Sequence, residues 1–335
     1  MNRVKRFVKN NSWVYVAVVT ILLWLLMGVT TGSLSVRTLI DNAYTASFLA
    51  MIALGQMLVV TTGRGAIDLS LPGMVTLGAY VSMGLCNGQD SMVLPALAVV
   101  VLCGVVVGLC NSLMVIYLKL PAIIATMAMN YIIVTATMLI NNSFNVFTSP
   151  PILASIAKTR IAGIPLMVFL VIGLALLIHY LLSSTTYGKS LLAMGQNLEA
   201  ARLAGVRVVK VEILTYLFAA VLAGLAGALI SARVTGAYLG MGDNYQMESI
   251  ACCVVGGTLM SGGRANAIGT LIGSVFLYMI VSAMQLLGAD AGMQSYVKGA
   301  LIIIVLLFGA SESISTRRRK PASTNAGAET KGVTP

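Results

Sequence analysis

Charge is what this chain has least of. Only 9% of its 335 residues are Asp, Glu, Lys or Arg, against about a quarter in a typical soluble domain. With 58% of residues hydrophobic, a water-soluble globule of this size would lack the polar surface to cover its core. Lipid removes the conflict, because apolar side chains can then face outward. Histidine is nearly absent, with His179 alone, near the end of an apolar run and so at the membrane interface. The five cysteines (Cys86, Cys103, Cys110, Cys252 and Cys253) show no CxxC spacing and have no His pair nearby. A disulfide framework and a metal site are therefore not expected, and the thiols read as small apolar packing residues. Without a convergent His, Asp, Ser or Cys set the chain is not read as an enzyme. A signal-peptide cleavage site is also missing. The basic start at residues 2–6 leads into an apolar run from Trp13 to Val29, long enough to span a bilayer as the first helix.

What is present is a series of long apolar runs. They predict an all-α integral membrane protein, a polytopic bundle of about 10 transmembrane helices (8–10). Their spans fall near 12–30, 43–62, 69–86, 93–118, 121–140, 164–182, 212–232, 246–260, 266–287 and 295–310. The third and eighth are short and rich in Gly or polar residues, which suggests broken or re-entrant helices near 63–73 and 240–260. The net charge of +11 could suggest nucleic acid, but position argues against it: sixteen Lys and Arg sit on one set of alternating loops and tails, five on the other. That asymmetry orients the chain with both termini in the cytoplasm. The expected organisation is a cytoplasmic N-terminus (1–11), a transmembrane domain (12–311) with a long cytoplasmic loop at 183–211, and a disordered cytoplasmic tail (312–335). The polar segment 141–163 falls outside. Small-xxx-small pairs, Gly104 with Gly108, Gly224 with Ala228 and Gly269 with Gly273, point to closely packed helices. Polar, Gly-bounded interruptions at 63–73 and 240–249 echo one another, as in transporters with two discontinuous helices.

Acidic residues at membrane depth (Asp41, Asp68, Asp243, Glu248) should face a cavity, a partner or the interface. Asp68 reads either as a polar wall of a pathway or, with Ser70, as a cap of the third helix. Gln56, Asn111, Asn130, Gln246 and Gln285 add uncharged polar groups to apolar helices, which suits a neutral, hydroxyl-rich solute. Candidate pathway residues are thus Gln56, Asp68, Ser70, Asn130, Gln246 and Glu248. In the loop 183–211, Gly188-Lys189-Ser190 imitates a phosphate loop, but position 183 is Ser and no strand precedes it. From Asn197 to Val206 the loop predicts a short helix, with Asn197 as N-cap and Gly205 as stop. Leu198, Ala201, Ala204 and Gly205 fall roughly on one face, with Glu199 and Arg202 elsewhere. Such a helix suits interfacial anchoring or docking into a groove on a soluble partner.

Glu199-Ala200-Ala201 followed by Gly205 resembles the EAA…G loop of ATP-binding-cassette importer permeases. Ala66-Ile67-Asp68-Leu69-Ser70, Pro121-Ala122-Ile123-Ile124-Ala125-Thr126, the run VVGGTLMSGGRANAIGTLIGS (254–274) and Tyr296-Val297-Lys298-Gly299-Ala300 are similar to the ribose-type sugar permease family. The likeness runs in order from about residue 40 to 310. It departs at Ala66, where the family usually has Gly, and at Pro72, commonly a small residue. The resemblance implies a coupling loop (Asn197, Glu199, Ala200, Ala201, Arg202, Gly205) touching a cytoplasmic ATPase. It also implies sugar delivered by a periplasmic binding protein, and a second copy or a sister permease completing the channel. ATP and Mg would bind the partner ATPase, with no cofactor on this chain. The expectation is a permease subunit in the bacterial inner membrane importing a ribose-type pentose, a hexose or a related polyol. Nucleoside or branched-chain amino-acid permeases are the nearest alternatives. An ion-coupled secondary transporter is disfavoured by the shortage of paired intramembrane charges.

Overall fold

The computed structural model describes residues 13–32, 35–141, 148–290, 292–301 and 303–304. The expected N-terminal segment 1–11 and tail 312–335 lie outside them. The chain forms α1 (Trp13–Thr31), α2 (Val36–Thr61), α3 (Leu71–Cys86), α4 (Val93–Ile116) and α5 (Ala122–Asn141). It continues with α6 (Pro151–Lys158), an antiparallel hairpin of β1 (Arg160–Ile161) and β2 (Ile164–Pro165), α7 (Leu166–Ser184), α8 (Thr186–Gln196) and α9 (Leu198–Leu203). Then follow α10 (Val208–Val234), α11 (Tyr245–Val255) and α12 (Ala267–Leu286). Residues 292–301 are helical again.

Among the described residues, 7 helices are long and apolar enough to cross a membrane: α1, α2, α4, α5, α7, α10 and α12. Each of the ten expected runs contains helix, but α3 is only 16 residues and α11 only 11, against about 20 for a full span. The eighth run ends at Val255 and not at 260, because Gly256 and Gly257 stop it, the latter at φ +91°. Two helices start earlier than expected. The first turns of α2 and α10 carry Arg37 and Lys210, charges that an apolar ruler assigns to loops although helix continues past the hydrocarbon edge. The hairpin, α6 and α8 are short elements that periodicity did not single out.

The spine is α2, buried without interruption from Ala46 to Thr61, as a helix apolar all round must be. One side of it packs with Met74, Val100 and Tyr216 of α3, α4 and α10. Its other side packs with Ile178, Leu191 and Cys252 of α7, α8 and α11. Outer faces present Leu22, Leu102, Ile132, Leu139 and Leu176 to the surroundings, each more than half exposed. Contiguous apolar surface of this kind belongs in lipid.

Lipid provides no hydrophobic force between helices, so close backbone contact holds them together. All three small-residue pairs lie at such crossings. Gly104 and Gly108 of α4 meet Val221 and Leu217 of α10; Gly224 meets Met74 and Val100; Gly269 and Gly273 of α12 meet Gly256 and Cys252. Another close crossing joins Gly78 of α3 to Gly224, where a Cβ on Gly78 would lie 2.3 Å from the Gly224 carbonyl oxygen. Gly78→Ala should therefore destabilise the bundle by about 1–3 kcal/mol. Gly173→Ala on α7, with nothing within 4 Å of the added methyl, should be neutral or gain up to about 1 kcal/mol of helix propensity. Thermal melting of the two variants in one detergent checks the opposite signs.

Candidate functional site

The chain reverses after α2 through Gly63, Arg64 and Gly65, all in the left-handed region at φ +82°, +60° and +71°. Non-helical backbone then runs to Ser70, where α3 begins. At membrane depth every N–H and C=O of such a break needs a partner inside the protein. Side chains of α2 and α5 provide several of them, and one of α4 bonds a side chain of the break. Thr126 Oγ1 of α5 accepts from the Leu69 N–H at 2.9 Å, and Asn130 Oδ1 accepts from the Gly73 N–H at 2.9 Å. Asn111 Nδ2 of α4 donates to Ser70 Oγ at 2.8 Å. The Gln56 amide of α2, oriented to donate to the Asp68 carbonyl (3.1 Å) and accept from its N–H (3.2 Å), pairs with that residue's backbone. Pro72, inside the first turn of α3, removes one more donor. Since Asn130 lies eight residues into α5, α3 starts about 12 Å below the end of the bundle.

The capping expectation is met only in part. Ser70 is the N-cap residue of α3, yet its side chain makes no cap bond to the helix. Asp68 Oδ1 instead accepts from the Ser70 N–H (2.9 Å) and Oγ (2.6 Å), which closes the turn just before the helix. The helix cap comes in trans, from Asn130. Gln56, Asp68 and Ser70 are buried in this conformation, so they hold the break rather than face an open cleft.

The second interruption meets the first. Gly242, in the segment between α10 and α11, donates its N–H to Thr76 Oγ1 of α3 at 3.1 Å. Its Cα packs so closely on the Pro72 carbonyl that a side chain there would clash. Asp243 is exposed, Gln246 half-buried and Glu248 buried. Glu248 forms an ion pair with Lys298 at 2.8 Å, beside a cavity lined by Leu277, Tyr278 and Val281. Sequence reasoning found no such pair, because the partners lie 50 residues apart. Asp41 lies at the far end of α2 and bonds Arg160 at 2.6 Å. Gln285 lines a separate cleft at that end with Asn42 and Thr45, and His179 is exposed on α7.

The loop 183–211 folds into α8 and α9. Gly188-Lys189-Ser190 lies within α8, whose N-cap Thr185 accepts from the Gly188 N–H, so the segment is helix and not a phosphate cradle. Tyr187 anchors α8 by a 2.8 Å hydrogen bond to Thr215 of α10, and burial pushes its phenol up to about 12. Asn197 caps α9 by accepting from the Ala200 N–H at 3.1 Å, and Gly205 takes φ +79° just past its end. Glu199 and Arg202 pair at 3.0 Å on the exposed face. The expected apolar face is only half there: Leu198 and Ala201 pack inward, whereas Ala204 and Gly205 are exposed beyond a helix of 6 residues. Leu203, overlooked because it lies off that face, is 91% exposed.

Beneath α9 three loops interlock. The Gly263 N–H donates to the Thr61 carbonyl at 3.0 Å, and Gln196 Nε2 donates to the Gly263 carbonyl at 3.3 Å. Gly63 packs on Gly195 and Ser261, and Arg64 bonds the buried Glu212 of α10. The surface helix is thereby joined to the ends of both α2 and the α11–α12 loop.

Residues 38–306 match the family described as the branched-chain amino acid transport system / permease component. The chain belongs to this family of permease components. Among its relatives is the autoinducer 2 import system permease protein LsrC of Shigella flexneri, 30% identical over 304 residues, 90% of this chain and 88% of that protein. The LsrC proteins of Salmonella typhi and Escherichia coli K12 are each 29% identical, over 87% and 88% of their length. No solved structure matches the chain. A permease component with these apolar helices is a membrane protein, as its composition required.

The break can be tested directly. Asp68→Asn keeps the acceptor for Ser70 and should melt within about 0.5 kcal/mol of the parent, whereas Asp68→Ala leaves buried donors unpaired and should lose about 1–3 kcal/mol. Melting in detergent, read alongside vesicle uptake, compares the two.

Proposed function

We propose that this chain is the membrane-spanning permease subunit of an ATP-binding-cassette importer in the bacterial inner membrane, carrying a monosaccharide or related polyol into the cytoplasm. The observation that carries the proposal is the coupling end. A capped surface helix exposes Leu203 and is tied, through Gln196, Gly263 and Thr61, to the end of α2 and to the α11–α12 loop. Such a joint suits a chain moved by a partner, which would be a cytoplasmic ATPase holding the ATP and Mg, with no cofactor on this chain. A periplasmic binding protein would deliver the solute, and a second copy or a sister permease would complete the channel. The ten helical segments would then make about 10 crossings, with the coupling end and both termini in the cytoplasm. The charge distribution supports that orientation: Arg64, Lys119, Lys189, Arg202, Arg207, Lys210 and Arg264 belong to this end, as the positive-inside rule requires.

A neutral hydroxyl-rich solute is favoured because most polar groups around the interruptions, Asp68, Asp243 and Glu248 apart, are amides and hydroxyls: Gln56, Ser70, Thr76, Asn111, Thr126, Asn130 and Gln246. Autoinducer 2, which the LsrC relatives are named for importing, is one candidate cargo. The Glu248–Lys298 pair gives a second reading, a zwitterionic amino acid whose amine and carboxylate displace the two partners from each other. Vesicle uptake of labelled ribose, driven by ATP and competed with excess leucine or excess unlabelled sugar, separates the two.

Leu203→Asp should leave folding and membrane insertion unchanged, since the side chain touches little. It should lower ATP-driven uptake about tenfold or more, as truncation of a contact hot spot does. Parental uptake by this variant, at equal protein level, would contradict the coupling assignment.

A further inference from the structure

A cleft of about 420 Å³ opens at the coupling end, between the loop after α2, the α4–α5 turn and the start of α10. Its charged lining consists of Arg64, Lys119 and Arg202 against Glu212, which Arg64 binds, while Arg202 also pairs with Glu199 outside the lining. Lys119 is exposed on the turn, at φ +55°. The turn is pinned by the Tyr117 N–H to the Leu113 carbonyl (2.9 Å) and the Leu120 N–H to the Met114 carbonyl (3.2 Å). Val115 and Leu120 add apolar wall. We propose that this cleft binds the headgroup phosphate of an anionic phospholipid, with its acyl chains running down the outside of α4 and α5.

Three features of the cleft favour that ligand. Its excess of cations is the complement of a phosphate, which an Arg fork and a Lys ammonium bind together. Its rim lies where the bundle meets a bilayer surface. Tyr117 and Leu118 are 63% and 66% exposed, and Ile124 is 56% exposed in the first turn of α5; an exposed Tyr beside apolar residues sits at headgroup depth. The half-apolar lining suits an amphiphile, whereas a free anion gains nothing from Val115 or Leu120. An acidic segment of the partner ATPase would satisfy the charges but leave Leu118 and Ile124 uncovered. The inference needs only that this end meets a bilayer surface, and does not rest on which solute is carried.

The test uses the full-length complex purified in mild detergent and titrated with phosphatidylglycerol or phosphatidylcholine, with bound lipid counted by native mass spectrometry. The parent should retain phosphatidylglycerol at concentrations where phosphatidylcholine is lost. Lys119→Asn, a residue type tolerant of positive φ, should weaken phosphatidylglycerol retention about fivefold, the effect of one cation at a lipid surface. Lys189→Asn, exposed on α8 outside the cleft, should leave retention unchanged. Unaltered phosphatidylcholine retention and assembly size show that the Lys119 variant is folded. Equal retention of the two lipids by the parent, or parental retention by Lys119→Asn, would overturn the proposal. So would displacement of the lipid by excess inorganic phosphate, the mark of a free-anion site. Lipid that binds only after the ATPase is stripped from the complex would overturn it in favour of an acidic protein segment.

Discussion

Unwound backbone inside a bilayer has no water to bond, and each orphaned N–H or C=O there costs several kcal/mol. The whole arrangement around α3 answers that constraint. The chain leaves helix at Thr61 and resumes it at Leu71. Gln56, Asn111, Thr126 and Asn130, from three different helices, converge on the backbone and side chains in between. Because these groups must stay in register, α2, α4 and α5 are held around the start of α3. The close crossings of Gly78, Gly104 and Gly108 with α10 complete that cage.

A break held in this way can be moved without being exposed. Its ends are not free: Thr61 is bonded to Gly263, and Gly263 to Gln196 at the base of the surface helix. At the other end, Gly242 rests on Pro72 and bonds Thr76, so the segment leading to α11 follows α3. A displacement of α9 therefore reaches both interruptions through direct contacts. For a permease moved by a partner, this is the mechanical requirement, and ionic chemistry is not needed to meet it. Among the described residues, the intramembrane ion pair near this region, Glu248 with Lys298, joins α11 to the helical segment 292–301 and leaves neither charge bare.

What the sequence made legible follows the range of the interactions. Apolar length located a helix in all ten runs, since the bilayer reads length and hydropathy directly. The Asn197 cap and the Gly205 stop were legible because capping is a matter of three or four neighbouring residues. The trans cap of α3 was not: Asn130 and Gly73 lie 57 residues apart, and no local spacing marks them as partners. Local chemistry pointed instead to Asp68 or Ser70, and of these Asp68 reaches only the Ser70 N–H. Glu248 and Lys298 escaped for the same reason. Leu203 escaped for another, because an apolar residue on a helix is expected to turn inward, and its outward position follows only from how Leu198 and Ala201 pack.

Hydrogen exchange of the Leu69, Ser70 and Gly73 amides, in the intact complex without nucleotide, tests the central claim most directly. If side chains of α5, with Asp68 of the break itself, hold these amides, they exchange as slowly as those of the buried helix α2. Exchange as fast as that of the exposed Ala204 and Gly205 amides would contradict the account and mean that water, not the protein, satisfies the break.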